Sequence, residues 1–296
     1  MANGKKKNGN GDIAKQGAFD PLTLQTKDLP EWMRGEAGRG LEQISAADVE
    51  VPRIKLLQAL SPELKMHDDL RAGMWYHTVA DQGLGRKLTV IPVYIDQSFI
   101  LWRPRKSGGG ILARAMDGIH WTPANVEFKV KLDSGQDVSW RTAHTVSKSG
   151  LAEWGSTDPK DPSSPPAATR MYNIAVVILD APQLSPAVVT MQRASIKVAR
   201  KFLAKLRLAT STMPLYGLML DLGAEEAKNA QGQDYMSPTW NMAGLVRDQK
   251  TYEICRSLYE RFHNLGLQIR DVEKAQDDDT PDMGRDDAAA AAQNKF

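Results

Sequence analysis

Cysteine is nearly absent from this chain of 296 residues, in which Cys255 stands alone. One thiol cannot form a disulfide within the chain or supply a multi-cysteine zinc site, so we expect a reducing compartment. Histidine offers no substitute, because the spacing of the five histidines is not that of metal ligands. They are His67, His77, His120, His144 and His263. The sequence therefore predicts no metal and no cofactor.

Long apolar runs are missing as well. No stretch of the sequence approaches the ~20 consecutive apolar residues that a membrane-spanning helix needs. The lysines near the N-terminus lead into Gly and Asn instead of an apolar signal core. We therefore expect a cytoplasmic protein that has no membrane partner.

Catalytic motifs are also lacking. The triplet Gly108–Gly110 is not followed by the Gly-Lys-Ser/Thr of a phosphate-binding loop. Two adjacent carboxylate pairs, Asp68–Asp69 and Glu225–Glu226, point apart on any regular element, unlike the paired carboxylates of metal-dependent nucleases. The sequence predicts that the protein is not an enzyme.

Charge is distributed unevenly along the chain. The net charge is +2, but residues 1–18 carry +3 and residues 276–296 carry −4. We predict a flexible basic arm at 1–28, a folded domain at 29–275 and a disordered acidic tail at 276–296, because the tail has too little apolar surface to offset the entropy of ordering. Such a tail competes with nucleic acid, recruits a partner protein or only aids solubility. Its candidate partner-binding residues are Asp277, Asp278, Asp279, Asp282, Asp286, Asp287 and Phe296.

The body is predicted to be rich in β-strands. Alternating apolar residues indicate strands at Met74–Val79 and Lys87–Tyr94, extended through Phe99–Trp102, and a hairpin at Asn125–Ala143. The second half is predicted to contain two strands, a helix, two more strands and a final helix. Their ranges are Tyr172–Leu179, Ala187–Met191, Arg193–Leu208, Leu215–Leu222, Tyr235–Val246 and Gln249–Leu265.

This order predicts the fold class. An oligonucleotide-binding (OB) barrel has five strands, and its helix lies between the third and the fourth. We therefore predict a β-rich α+β fold, with an OB-type barrel, added strands and helices, and disordered termini. Other α+β domains also fit this order.

One predicted helix carries only basic charges. Within Gln192–Leu208 there are six basic residues and no acidic residue. A solvated helix usually intersperses Glu for pairing at i, i+4, so this pattern favours an anionic partner such as the phosphates of DNA. A solvated face, or pairing with the acidic tail, is the alternative. The residues are Arg193, Lys197, Arg200, Lys201, Lys205 and Arg207.

A second set of residues interleaves lysines and arginines with aromatic residues. Single-stranded nucleic acid is held by this combination, because bases stack on the rings and the cations follow the phosphates. The alternative is that the three aromatic residues belong to the core. The set comprises Arg86, Lys87, Tyr94, Phe99, Trp102, Arg103, Arg105 and Lys106.

Together these features resemble a known family. A basic, aromatic-bearing β body followed by an Asp-rich tail ending in Phe296 is similar to the single-stranded-DNA-binding proteins of tailed phages. The segments Arg53–Pro62 and Arg193–Lys197 also resemble phage proteins of this kind. The resemblance implies sequence-tolerant binding of single-stranded DNA in replication or recombination, in the cytoplasm of the host, with replication proteins recruited by the tail. Two alternatives stay open, a structural or scaffolding phage protein and a strand-annealing recombination protein, and so does homo-oligomerisation.

Overall fold

The computed structural model describes residues 30–33, 39–40, 52–228 and 232–265. The predicted basic arm and the predicted acidic tail lie outside these ranges. Contacts divide the chain into two compact units, Met1–Gln43 and Ile44–Phe296. In the first unit the described residues include one turn of 3-10 helix at Glu31–Met33, where Trp32 is exposed. All of the elements below belong to the second unit.

The described part of the second unit forms eleven strands and four α-helices. The hairpin and the final helix predicted from the sequence are confirmed. The strands are β1 Arg53–Leu56, β2 Trp75–His77, β3 Gln82–Gly85, β4 Leu88–Trp102, β5 Ile111–Ala115, β6 Glu127–Lys131, β7 Asp137–Arg141, β8 Ala168–Ile178, β9 Ala187–Gln192, β10 Leu218–Lys228 and β11 Asp234–Leu245. The helices are α1 Glu63–Met66, α2 Val146–Ser149, α3 Ile196–Ala209 and α4 Gln249–Leu265.

The main sheet is strongly curled into a half-barrel. Its strand order is β11-β10-β4-β8-β9-β1-β2-β3, with β5 added beside β4. Trp240 of β11 and Trp75 of β2, which lie near opposite ends of the strand order, belong to one buried cluster, as expected for a curled sheet. We call the face that carries this cluster the concave face. The β-rich, barrel-like fold predicted from the sequence is thus present.

Helix α3 packs on the concave face. Its apolar residues recur at helical spacing, and Ala199, Phe202 and Leu206 are buried in the concave cluster. The ring of Phe202 stacks on that of Trp240, with 4.5 Å between centroids and 18° between planes. This packing leaves the polar side of α3 turned away from the sheet.

Helix α4 packs on the opposite, convex face. Cys255 is fully buried there, and burial raises the pKa of its thiol to about 11. The ring of Tyr94 on β4 lies 6.5 Å from that of Tyr259 and 6.4 Å from that of Phe262 on α4. These contacts cover the convex side of the middle of β4.

Strand β4 is the longest element of the sheet and contains a bulge. Pro92 pairs with Val176 and Tyr94 pairs with Ala175, so that Val93 has no cross-strand partner of its own. A strand of 15 residues spans about 50 Å at ~3.3 Å per residue. The two ends of β4 therefore belong to different regions: the first half contributes to the core under α3, and the second half packs on the hairpin β6–β7.

A side chain links the end of β1 to β11. The Nε2 of Gln58 donates to the backbone oxygen of Met236 at 3.0 Å, and the Met236 nitrogen donates to the Gln58 Oε1 at 2.8 Å. Gln58 is 3% exposed. Its amide thus pairs with the β11 backbone on the side opposite β10, where no other strand of the described sheet lies.

Candidate nucleic-acid interface

The polar side of α3 carries five exposed basic residues and no acidic residue. None of them forms an ion pair with a residue that the structure describes. Five positive charges on one helix therefore lie uncompensated within the described structure, as expected for a surface that receives an anion. They are Lys197, Arg200, Lys201, Lys205 and Arg207.

The sixth basic residue predicted for this helix, Arg193, lies outside α3. It occupies a 3-10 turn that precedes α3, has a φ of 48° and is half-buried. A capping box explains the turn, since the Gln192 nitrogen donates to the Ser195 Oγ at 2.8 Å. Arg193 thus lies at the start of α3, beside the end of β9.

The second predicted set of residues is divided between the two ends of β4. At the N-terminal end, Arg86 Nη2 donates to the Ala72 carbonyl at 3.2 Å, and Lys87 forms an ion pair with Asp221 at 2.8 Å. These two cations already have partners within the protein. They lie toward the α3 end of the sheet.

The other three cations lie at the opposite end of β4. Exposed Arg103, Arg105 and Lys106 occupy the connection from β4 to β5. The connection is fixed to the hairpin β6–β7, because Ser107 Oγ donates to the Lys131 carbonyl at 3.0 Å. The structure therefore does not bring this group together with Arg86 and Lys87.

The three predicted stacking residues pack within the protein. Tyr94 is covered by α4, and burial raises the pKa of its hydroxyl. Phe99 is 4% exposed, which favours the core role considered for it. Trp102 is half-buried, and its indole nitrogen is buried with no hydrogen-bond partner among the described residues. None of the three presents a fully exposed ring.

A further cation faces the concave side. Arg170 lies opposite Phe99 in the pairing of β8 with β4, and its guanidinium carbon lies 5.3 Å from the centre of the Phe99 ring. Half-buried Tyr172 lies two residues further along β8, opposite Gln97. Arg170 is not among the residues predicted from the sequence, where its only signal is a lone basic residue just before an apolar strand pattern.

The concave face connects Arg170 to α3. Met171 pairs with Gln192 in the antiparallel β8–β9 pair. Arg170, which precedes Met171, and Arg193, which follows Gln192, therefore lie at the same end of this pair. Arg193 lies in the 3-10 turn that leads into α3, so Arg170, Arg193 and the exposed basic residues of α3 occur in this order from the second half of β4 to the helix. We call these residues the basic path. This path is the candidate interface.

Several predictions concern residues or features outside this interface. The predicted partner-binding aspartates and Phe296 lie outside the described residues. In the described ranges, no helix is long and apolar enough to cross a membrane. The same ranges contain no cluster of three His, Cys, Asp or Glu side chains placed to hold a metal ion.

Comparison with known proteins identifies a phage family. The model of the family described as Pam3 phage gp34-like protein matches residues 23–268, well over half of the chain. No curated protein matches the chain. No solved structure matches it either.

Proposed function

We propose that this chain, which belongs to the Pam3 phage gp34-like protein family, binds single-stranded DNA without sequence preference during phage DNA replication or recombination. The proposal is carried by the five exposed lysine and arginine residues on one side of α3. They have neither an acidic neighbour in the helix nor an ion-pair partner among the described residues. The role is one of binding, without catalysis and without a cofactor, in the cytoplasm of the host.

Phosphate contacts on α3 supply the affinity in this proposal. Lys197, Lys201 and Lys205 follow one another at four-residue spacing and form one row, which Arg200 and Arg207 flank. Each phosphate that is neutralised on a single strand contributes about 0.7 to the slope of log affinity against log salt. Five contacts would therefore give a slope of about −3.5. Such binding falls steeply with salt and tolerates any sequence.

The barrel type belongs to the proposal as well. In sequence order the strands β4, β8, β9, β10 and β11 stand in the sheet as β9-β8-β4-β10-β11, and α3 connects β9 to β10. A five-stranded OB barrel has its helix at this position. Here β9 pairs with β1 instead of closing on β11. We propose an OB-type barrel into which β1 and the Gln58 side chain are inserted at the seam.

The proposal is tested by titrating the full chain with labelled single-stranded and duplex oligonucleotides at two salt concentrations. Tight binding that is confined to single strands and weakens with salt supports it. If neither oligonucleotide binds at low salt, the proposal is wrong. Faster pairing of complementary strands would instead identify a strand-annealing protein.

One observation favours the structural or scaffolding alternative. Strand β11 ends the sheet, and the whole stretch Asn241–Leu245 is exposed, with Met242 and Leu245 each 46% exposed. A sheet edge of this kind can pair with another chain. Concentration-dependent self-association without any binding of DNA would support this alternative.

A further inference from the structure

A cleft of about 330 Å³ opens on the concave face next to the second half of β4. Strands β4 and β8 form its floor, and the segments that follow β5 and surround α2 form its walls. Its volume is at the low end of the ~300–1,000 Å³ that is usual for ligand sites, and so suits one small ring system. Among the residues that line the cleft are Gln97, Phe99, Gly118, Ile119, Ser147 and Arg170.

The floor of the cleft carries the positive charge of Arg170. The Arg170 guanidinium lies over the buried Phe99 ring and forms no ion pair with any described residue, although Glu153 lines the same cleft. Arginine normally uses its planar fork to bind a carboxylate or its flat face to stack. Here the guanidinium carbon lies 5.3 Å from the centre of the Phe99 ring, within the range of a cation–π contact.

The wall of the cleft depends on a close backbone approach. Gly118 has a φ of 70°, and a Cβ added there would lie 2.6 Å from the backbone oxygen of Gln97. Only glycine fits both the conformation and the space. Ile119 follows directly and is 55% exposed at the rim. The cleft is therefore shaped by the backbone and is not a gap between loosely placed side chains.

We propose that this cleft holds one nucleobase of the bound single strand, stacked on the Arg170 guanidinium. The inference rests on the proposed function and names the base-contacting part of the same path. An unstacked base gains from stacking on an arginine plane, and the cation–π contact with Phe99 holds the Arg170 guanidinium in the cleft. The Gln97 amide and the Ser147 hydroxyl offer both donors and acceptors to a base edge.

The position of the cleft fits a strand that follows α3. Arg170 lies four residues along β8 from Ile174, which is buried in the core beneath α3. At ~3.3 Å per residue the separation along the strand is about 13 Å, and the exposed side of α3 lies about 10 Å above its sheet-facing side, which is the diameter of a helix. A strand whose phosphates lie on α3 can thus place a nearby base in the cleft.

The test uses the full chain and a short thymidylate strand that carries one fluorescent purine analogue. Stacking on Arg170 is expected to change the fluorescence of the analogue when the wild type binds. Arg170→Gln should abolish this change and weaken binding about tenfold. Arg170→Lys keeps the charge and loses the planar face, so it should also abolish the change. If Arg170→Lys leaves both fluorescence and affinity as in the wild type, Arg170 contacts only phosphate and the proposal is wrong.

A second pair of variants guards against misfolding of the Arg170 variants. Ile119→Glu places a carboxylate at the exposed rim and should weaken binding severalfold. Val79→Glu is the matched control, because Val79 is 51% exposed in the turn between β2 and β3. Equal affinity of these two variants would overturn the base site. Failure of the wild type to bind would instead refute the proposed function itself.

Discussion

The side-chain amide of Gln58 pairs with the backbone of Met236 through two hydrogen bonds, of 3.0 Å and 2.8 Å. The pairing has the form of a β-ladder, with one partner supplied by a side chain. It joins residues 178 positions apart in the sequence. Because β11 has no strand neighbour on this side in the described sheet, the amide closes the half-barrel at this point.

Replacing Gln58 by Ala should destabilise the protein. The change removes both hydrogen bonds and leaves part-buried backbone groups of Met236 without these partners, at a cost of about 2 kcal/mol in the free energy of unfolding. Urea denaturation followed by circular dichroism measures it. Gln249→Ala is the control, because Gln249 is exposed and should cost less than about 0.5 kcal/mol. Equal midpoints for the two variants would show that the pairing contributes nothing.

Neutralising two lysines of α3 should reduce the salt dependence of binding. The double variant Lys197→Gln, Lys201→Gln removes two proposed phosphate contacts, so the slope of log affinity against log salt should shrink by about 1.4. Titration at several salt concentrations gives the slope. Lys129→Gln with Lys160→Gln removes two exposed lysines elsewhere and should leave it unchanged. An unaltered slope in the α3 variant would exclude this helix from the interface.

Substitution of Trp102 separates a core role from a stacking role. The half-buried indole packs with the convex cluster, so Trp102→Ala should lower the free energy of unfolding by about 3 kcal/mol. The folded variant should bind single strands like the wild type. Thermal melting and titration below the melting temperature measure the two effects. Normal stability with an affinity reduced about tenfold would instead place Trp102 on the binding surface.

Deletion of Gln276–Phe296 should strengthen binding at low salt. The segment carries a charge of −4 and would compete with phosphates for the basic path. The gain should shrink as salt is added, because the Debye length falls from ~10 Å at 0.1 M to ~3 Å at 1 M. Deletion of Phe296 alone should leave DNA affinity unchanged and weaken a docking partner. Equal low-salt affinity of the truncated and full chains would show that the segment does not occupy the path.

The stability of the fold should fall in mild acid because of His77. This residue is 2% exposed, accepts from the Ala80 nitrogen at 2.9 Å and pairs with the Leu184 carbonyl at 3.2 Å. Both ring nitrogens are thus used by the neutral form, and burial lowers the pKa of His77 below 6.5. The unfolded chain therefore takes up a proton first, and the free energy of unfolding decreases as pH falls below 6.5.

The pH effect can be assigned with one variant. His77→Gln should be less stable at neutral pH but should lose less stability between neutral pH and mild acid. Denaturant midpoints over this pH range provide the comparison. If the variant and the wild type show the same decrease with pH, another group is responsible.

Local patterns predicted much of the fold. The final helix has the predicted bounds, Gln249–Leu265, because apolar residues recur at helical spacing along it. The hairpin β6–β7 followed from strict alternation around an Asp-Ser-Gly turn. Both signals lie within about twenty residues of sequence, where periodicity is visible.

Contacts between distant residues left no such signal. The pairing of Gln58 with Met236 joins two polar groups whose local sequences give no hint of each other. Arg170 was overlooked for the same reason, since its role depends on the cross-strand neighbour Phe99. The basic face of α3 was predictable because all of its residues lie on one helix. The division of the Arg86–Lys106 set between two ends of the sheet was not predictable, because it follows from the length of the single strand β4.

The bulge in β4 determines where the chain tolerates a change in length. Val93 and Tyr94 both face the convex side. Deletion of either residue would therefore leave every side chain that follows in β4 on its present face. The same deletion two residues beyond Tyr94 would turn Gln97 and Phe99 away from the cleft. A deletion of one residue in this strand is therefore expected to preserve the cleft only when it falls at the bulge.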